Sequence, residues 1–291
     1  MISKSIQYIL FLVFIFTPIS VQAWGDKDKG NQWASTIVKK DIAYGSDDLQ
    51  KLDVYVPRGT KALKPVLIFV HGGGWRQGDK KQYVPMGKFY ADHGVVFVAV
   101  NYRLSPDVVH PAHVQDSAKA IKWIYDNIGK YGGDKNKTYL SGHSAGAHLS
   151  ALIGTDPKYL AAHGLAPTIF KAVIPNDTAS FDFLTPIQKG KIFVQPMIDQ
   201  AFGTDPNGLK EASPITYARS EKDSPRFVIF VTAGRPDAAD QTRLFHEALI
   251  QSGAKSEYHV IKGNSHRDMA KGMFDAESPI SKEILNVIWG Q

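Results

Sequence analysis

Thr138-Tyr139-Leu140-Ser141-Gly142-His143-Ser144-Ala145-Gly146-Ala147-His148-Leu149-Ser150-Ala151-Leu152 is the stretch whose reading decides the fold. A short apolar run of strand character enters the pattern G-x-S-x-G, and a helix-compatible run leaves it at once. In a strand–turn–helix setting that pattern makes a sharp, strained elbow that lifts the serine hydroxyl into the open. Its glycines are required because a side chain there would strike the neighbouring strand or helix. Ser144 is therefore the candidate nucleophile.

Working outward, a second apolar run ends at Val70 and passes directly into His71-Gly72-Gly73-Gly74-Trp75. Glycines after a strand let backbone N–H groups turn toward a developing oxyanion, and the N–H of Ala145 at the start of the nucleophile helix is a further donor. Taken alone, the glycine run is equally compatible with a plain turn or a phosphate loop. No G-K-[ST] or G-x-G-x-x-G pattern accompanies it, and beside the serine elbow the acyl-transfer reading is favoured. Gly73, Gly74 and Ala145 are the expected oxyanion donors, and Trp75 is an expected wall of the substrate pocket, with Phe181 and Phe183 as further aromatic candidates.

A serine nucleophile needs a base, and the base needs an orienting carboxylate. The run Phe227 to Thr232 ends in Ala233-Gly234-Arg235-Pro236-Asp237, and the run Tyr258 to Ile261 is followed by Gly263-Asn264-Ser265-His266. Both candidates follow strand ends, where open α/β sheets bind their ligands. The order Ser144, Asp237, His266 is the expected one for a nucleophile elbow. Asp240 is the alternative acid, but it reads better as a helix cap. The remaining histidines serve packing or backbone support in this reading. No H-E-x-x-H or metal-ligand spacing is present, so no metal and no cofactor is expected.

Further apolar runs, Pro65 to Val70, Val95 to Val100 and Lys171 to Ile174, lack polar alternation, as strands covered on both faces do. Helical periods occupy Ala112 to Ile128, Gln241 to Ile250 and Ile280 to Ile288. Alternating stretches at Ile37 to Ala43 and Leu52 to Val56 flank Gly45-Ser46-Asp47-Asp48 and predict a hairpin. The fold expected is an α/β class: a mostly parallel central sheet with helices on both faces. Residues 178–222 interrupt the rhythm with repeated prolines, which predicts a lid-like insertion rather than a second domain.

Composition excludes several alternatives. With 43% hydrophobic and 21% charged residues the chain is an ordinary globular one. No cysteine is present, which removes disulfides, thiolate metal sites and a cysteine nucleophile. The formal charge of +6 is scattered in pairs such as Lys39-Lys40, without the concentrated basic face that nucleic acid requires. Residues 1–23 combine Lys4, an apolar run from Ile9 to Phe16 and the small residues Val21 and Ala23. That run is too short to span a bilayer and reads as a secretory signal peptide, so residues 24–291 form the expected domain, exported to a periplasm or secreted, with no stable membrane span after processing.

Together these motifs resemble the α/β-hydrolase esterases and lipases. The matching pieces are Leu52-Asp53-Val54-Tyr55-Val56-Pro57, His71 to Trp75, Gly78-Asp79-Lys80, Asn101-Tyr102-Arg103-Leu104-Ser105-Pro106, Asp116, the serine elbow, Asp237 and His266. His143 before the serine and Gly146-Ala147-His148-Leu149 after it are closer to the feruloyl-esterase-like and kynurenine-formamidase-like branches than to the hormone-sensitive-lipase-like one. The resemblance implies a serine hydrolase of small-molecule carboxylic esters. An arylformamidase or amidase would use the same residues, and a non-catalytic binding homologue is the reading of another class.

Overall fold

The computed structural model describes residues 36–59, 62–185, 194–218 and 224–290. The leader-like residues 1–23, and parts of the expected insertion at 186–193 and 219–222, lie outside them. The apolar runs form strands β1 (Ile37–Ala43), β2 (Lys51–Val56), β3 (Lys64–Val70), β4 (Val96–Val100), β5 (Gly133–His143), β6 (Phe170–Asn176), β7 (Arg226–Thr232) and β8 (Ser256–Ile261). They join in one sheet of order β1-β2-β4-β3-β5-β6-β7-β8. The β1–β2 hairpin is antiparallel, as its polar turn predicts, and β2 also pairs antiparallel with β4. From β4 through β8 every pairing is parallel, so the C-terminal ends of these strands open on one edge.

Helices α1 (Val84–Asp92), α2 (Ala112–Asn127), α3 (Ala145–Thr155), α4 (Lys158–Ala161) and α8 (Pro236–Gln251) lie on the connections between the parallel strands, and α9 (His266–Gly272) and α10 (Pro279–Trp289) follow the last of them. Side chains of a strand alternate between faces, and both faces of β3 are buried. Val66, Ile68 and Val70 join one core with Ala118 and Ile121 of α2, Leu149 of α3 and Phe245 of α8. Leu67 and Phe69 join the other with Met86 and Tyr90 of α1, Met269 of α9 and Ile280 and Ile284 of α10. That double cover explains runs of valine and isoleucine without polar alternation.

The stretch between β6 and β7 carries three short helices, α5 (Gln195–Phe202), α6 (Pro206–Glu211) and α7 (Pro214–Ala218). Each begins with proline in its first or second position, where the missing N–H costs nothing. Three of the prolines that interrupt the sequence rhythm, Pro196, Pro206 and Pro214, are therefore helix starters. Phe181, a candidate for either the pocket wall or the core, is fully buried and stacked on Phe245, with ring centroids 4.4 Å apart, so it belongs to the core. Among the described residues no helix is long and apolar enough to cross a membrane.

Candidate active site

The elbow takes the strained conformation expected of it. Ser144 sits at φ 58° and ψ −119° between β5 and α3. A Cβ on Gly142 would lie 2.3 Å from the Gly146 carbonyl oxygen, and one on Gly146 would lie 2.0 Å from that of Val70. Both glycines are thus fixed by close backbone approach rather than by the turn alone. The Ser144 N–H donates to the carbonyl of Asn176 at 3.0 Å, tying the elbow to the end of β6.

His266, the first residue of α9, faces the serine: the Ser144 hydroxyl and His266 Nε2 are 3.0 Å apart. Ser265 and Asp268 form a reciprocal capping box at that helix start, which fixes the backbone carrying the ring. On the other side, His266 Nδ1–H donates to Asp177 Oδ2 at 2.5 Å. The acid partner of His266 is therefore Asp177, and the expectation of Asp237 is corrected. Asp237 lies in the first turn of α8, where a carboxylate favours the positive helix end. The alternative, Asp240, is one turn further along that helix. The loop after β7 turns at Arg235 and fills the space beside His266 with a guanidinium instead of an acid.

Asp177 is completely buried and adopts φ 54°, a left-handed turn that aspartate tolerates better than most residues. Its Oδ1 accepts from the Thr232 N–H at 3.2 Å, and its Oδ2 also accepts from Arg235 Nη1 at 3.1 Å. Burial pushes this carboxyl upward, but the hydrogen bond from His266 and the charge of Arg235 outweigh it and hold the group below its usual value. A sequence signal for Asp177 existed: it follows the run Lys171 to Ile174 by three residues, at a strand end like the other candidates.

The oxyanion loop is held by its carbonyls. His71 Nδ1–H donates to the carbonyl of Gly72 at 2.7 Å, and the N–H groups of Arg76 and Gln77 donate to that of Gly73 at 3.3 and 3.1 Å. In a trans peptide the N–H points opposite to the carbonyl, so these bonds turn the N–H groups of Gly73 and Gly74 away from His71 and Gln77. Gly73 and Gly74 have φ of 119° and 61°, and a Cβ on Gly74 would lie 2.5 Å from Met197 Sδ. Ala145, at the first position of α3, brings one of the N–H groups that a helix start leaves without an internal partner. Trp75 borders the cleft, but its buried ring also packs edge-on to Phe202, and its Nε1–H donates to His148 Nδ1 at 3.3 Å.

His143 and His148, which flank the serine, act on backbone. His143 Nε2–H donates to the carbonyl of His266 at 3.0 Å, and His148 Nε2–H to that of Ala212 at 2.8 Å. Burial drives both rings down to about 3, so they stay neutral. His143, Asp177 and His266 also have the spacing of a metal-ligand cluster, as do Glu257, His259 and Glu283 on β8 and α10. In the first cluster both nitrogens of His266 and the Nε2 of His143 already make hydrogen bonds. Several residues of the recognised motifs are scaffold: Lys80 pairs with Asp53 at 2.8 Å, and Arg103 with Asp116 at 2.8 Å.

The cleft beside Ser144 measures about 320 Å³ and is lined by Gly74, Trp75, Ala145, Thr178, Ala179, Ser180, Val194, Met197, Arg235 and His266. An elbow serine at the end of a central parallel strand, with base and acid on the following strand ends, defines the α/β-hydrolase fold. A family model described as BD-FAE matches residues 52–249, and the chain belongs to that family. Among relatives, the chain is 32% identical to Esterase LipQ of Mycobacterium tuberculosis, an alignment covering 86% of this chain and 62% of that protein. The chain thus spans less than two thirds of that relative's length. Among solved structures, esterase B of Lactobacillus rhamnosis superposes with a TM-score of 0.73 at 20% identity, covering 88% of this chain and 85% of that one. Thermogutta terrifontis esterase 2 phosphonylated by sarin gives 0.67 at 25% identity, covering 88% and 93%.

Proposed function

We propose that the chain is a serine hydrolase of carboxylic esters. The observation that carries this reading is the unbroken relay from the Ser144 hydroxyl through His266 to Asp177, at 3.0 and 2.5 Å, beside the glycine loop. Ser144 attacks the ester carbonyl while His266 Nε2 takes its proton, and Asp177 stabilises the imidazolium that forms. The N–H groups of Gly73, Gly74 and Ala145 receive the developing oxyanion; each such donor contributes about 3 kcal/mol to lowering the barrier. His266 returns the proton to the departing alcohol, and a water activated by the same nitrogen then cleaves the acyl-enzyme.

The cleft volume suits small and medium acyl groups, and the esterase names carried by relatives in the family support the same class. Incubation with p-nitrophenyl acetate and butyrate, and with a fluorophosphonate, tests the reading. Turnover and a phosphonyl adduct on Ser144 are expected, with both abolished in Ser144→Ala. Hydrolysis by Ser144→Ala at the wild-type rate would sink it.

A further inference from the structure

Arg235 was not among the expected site residues, yet it stands at the centre of the charge balance. It ends the turn after β7 and caps α8. Its Nη1 donates to the Asp177 side chain at 3.1 Å and to the Asp177 backbone carbonyl at 3.2 Å, and lies 2.9 Å from His266 Nδ1. The last contact joins two donor nitrogens that converge on one carboxylate oxygen. The Nε and Nη2 groups make no hydrogen bond to any described residue. The side chain keeps 21% of its surface exposed and borders the cleft.

Among the described residues, no other Lys or Arg lines that wall. Gly74, Trp75, Ala145, Ala179, Val194 and Met197 are apolar, and Thr178 and Ser180 offer only hydroxyls. No aspartate or glutamate lines the cleft among the described residues, and Asp177 lies wholly buried behind it. A guanidinium presents five donors in a rigid fork that matches a carboxylate, and a partly buried one with donors left over favours an anion from solvent. An arginine serving only to fix Asp177 would not need to border the cleft with unused donors.

We propose that Arg235 divides its guanidinium between Asp177 and a carboxylate on the substrate, so that this site prefers esters bearing a negative charge near the scissile bond. Nη1 holds the relay, and the Nε–Nη2 side receives the substrate anion. The inference rests on the hydrolase reading, and the two can fail separately.

Two matched pairs of esters test it. On the acyl side, p-nitrophenyl hemisuccinate is compared with p-nitrophenyl butyrate; on the alcohol side, 4-acetoxybenzoate with its methyl ester. The quantity read is the ratio of kcat/KM for the anionic member to that for the neutral one, which cancels damage to the relay common to both. In at least one pair Arg235→Gln is expected to lower this ratio by roughly tenfold to a hundredfold, the worth of a charge-assisted hydrogen bond, mainly through KM. Arg235→Lys should retain part of it. The pair that responds locates the carboxylate on the acyl or the alcohol side. Equal losses for both members of both pairs would reduce Arg235 to a positioning residue for Asp177 and overturn the proposal. If wild-type protein hydrolyses no ester and takes no phosphonate label, the hydrolase reading itself fails; if it hydrolyses neutral esters but its ratios do not depend on Arg235, only this inference does.

Discussion

A carboxylate at the second ring nitrogen of His266 sets the tautomer that lets the first accept the serine proton; the sequence pointed to Asp237 for that place, and the structure puts Asp177 there. Both follow strand ends, and both preserve the order serine, acid, histidine. Distance separates them, since Asp177 Oδ2 is 2.5 Å from His266 Nδ1 whereas Asp237 belongs to the first turn of α8. Asp177→Asn should therefore lower kcat for a simple ester by about 10⁴-fold, the effect of leaving the imidazole in the wrong tautomer. Asp237→Asn should stay within about tenfold of wild type, because it removes a helix-end carboxylate. Steady-state kinetics on the two variants decide between them, and the reverse ranking would return the role to Asp237. Ser144 was legible because its elbow leaves a local signature of glycines. The acid leaves only a place after a strand end, a signal that Asp177 shares with Asp237, since any strand end in reach of the histidine can supply it.

Strands and long helices were readable from periodicity: the expected runs fall on β1 to β8, α2, α8 and α10, although they take in only Thr138 to Leu140 of the eleven-residue β5 and miss the start of α8 before Gln241. The seven-residue α9 and the short α5 to α7 escaped it, being too brief to develop a period. Long-range pairing between elements was equally hidden. Lys80, 2% exposed, bridges Asp53 of β2, itself 1% exposed, and Asp41 of β1. Its backbone N–H also donates to the Asn101 side chain at 2.6 Å, just past β4. The motif Gly78-Asp79-Lys80 thus pins the end of the oxyanion loop to three strands. Lys80→Met should cost about 3–5 kcal/mol of stability by stranding the Asp53 charge. Adding Asp53→Asn should recover part of that loss. Urea denaturation of the two variants measures it, and a change below about 1 kcal/mol would mean that the buried pair contributes little.

Across the whole molecule, four buried histidines and the half-buried His110 share one consequence. Burial lowers His71, His110 and His113 to about 4, and His143 and His148 to about 3, against 6.5 for a free ring. Between those limits the unfolded chain binds protons that the folded one refuses, so stability is full above pH 6.5 and falls as the pH drops toward 4. Each ring contributes a slope of up to about 1.4 kcal/mol per pH unit. The depressed carboxyl of Asp177 acts in the same direction at still lower pH, losing its contribution as the pH falls through its folded value. The thermal midpoint should therefore decline steeply from pH 6.5 to 4, and a midpoint flat across that window would contradict the neutral state of these rings.

What the sequence by itself determined is whatever a single stretch of chain can carry. The glycine elbow with Ser144, the glycine loop after Val70, the covered strands and the alternation of strand and helix all follow from local sterics and hydrophobic pattern. What only the tertiary structure decided is which distant groups meet. Asp177, 89 residues from His266 in the chain, becomes its partner because β6 and β8 end on the same edge of the sheet. Arg235 borders the cleft for the same reason. Parallel strands align their ends through backbone hydrogen bonds that do not depend on which side chains follow them, so the sheet fixes where residues converge and the loops decide which residues arrive there.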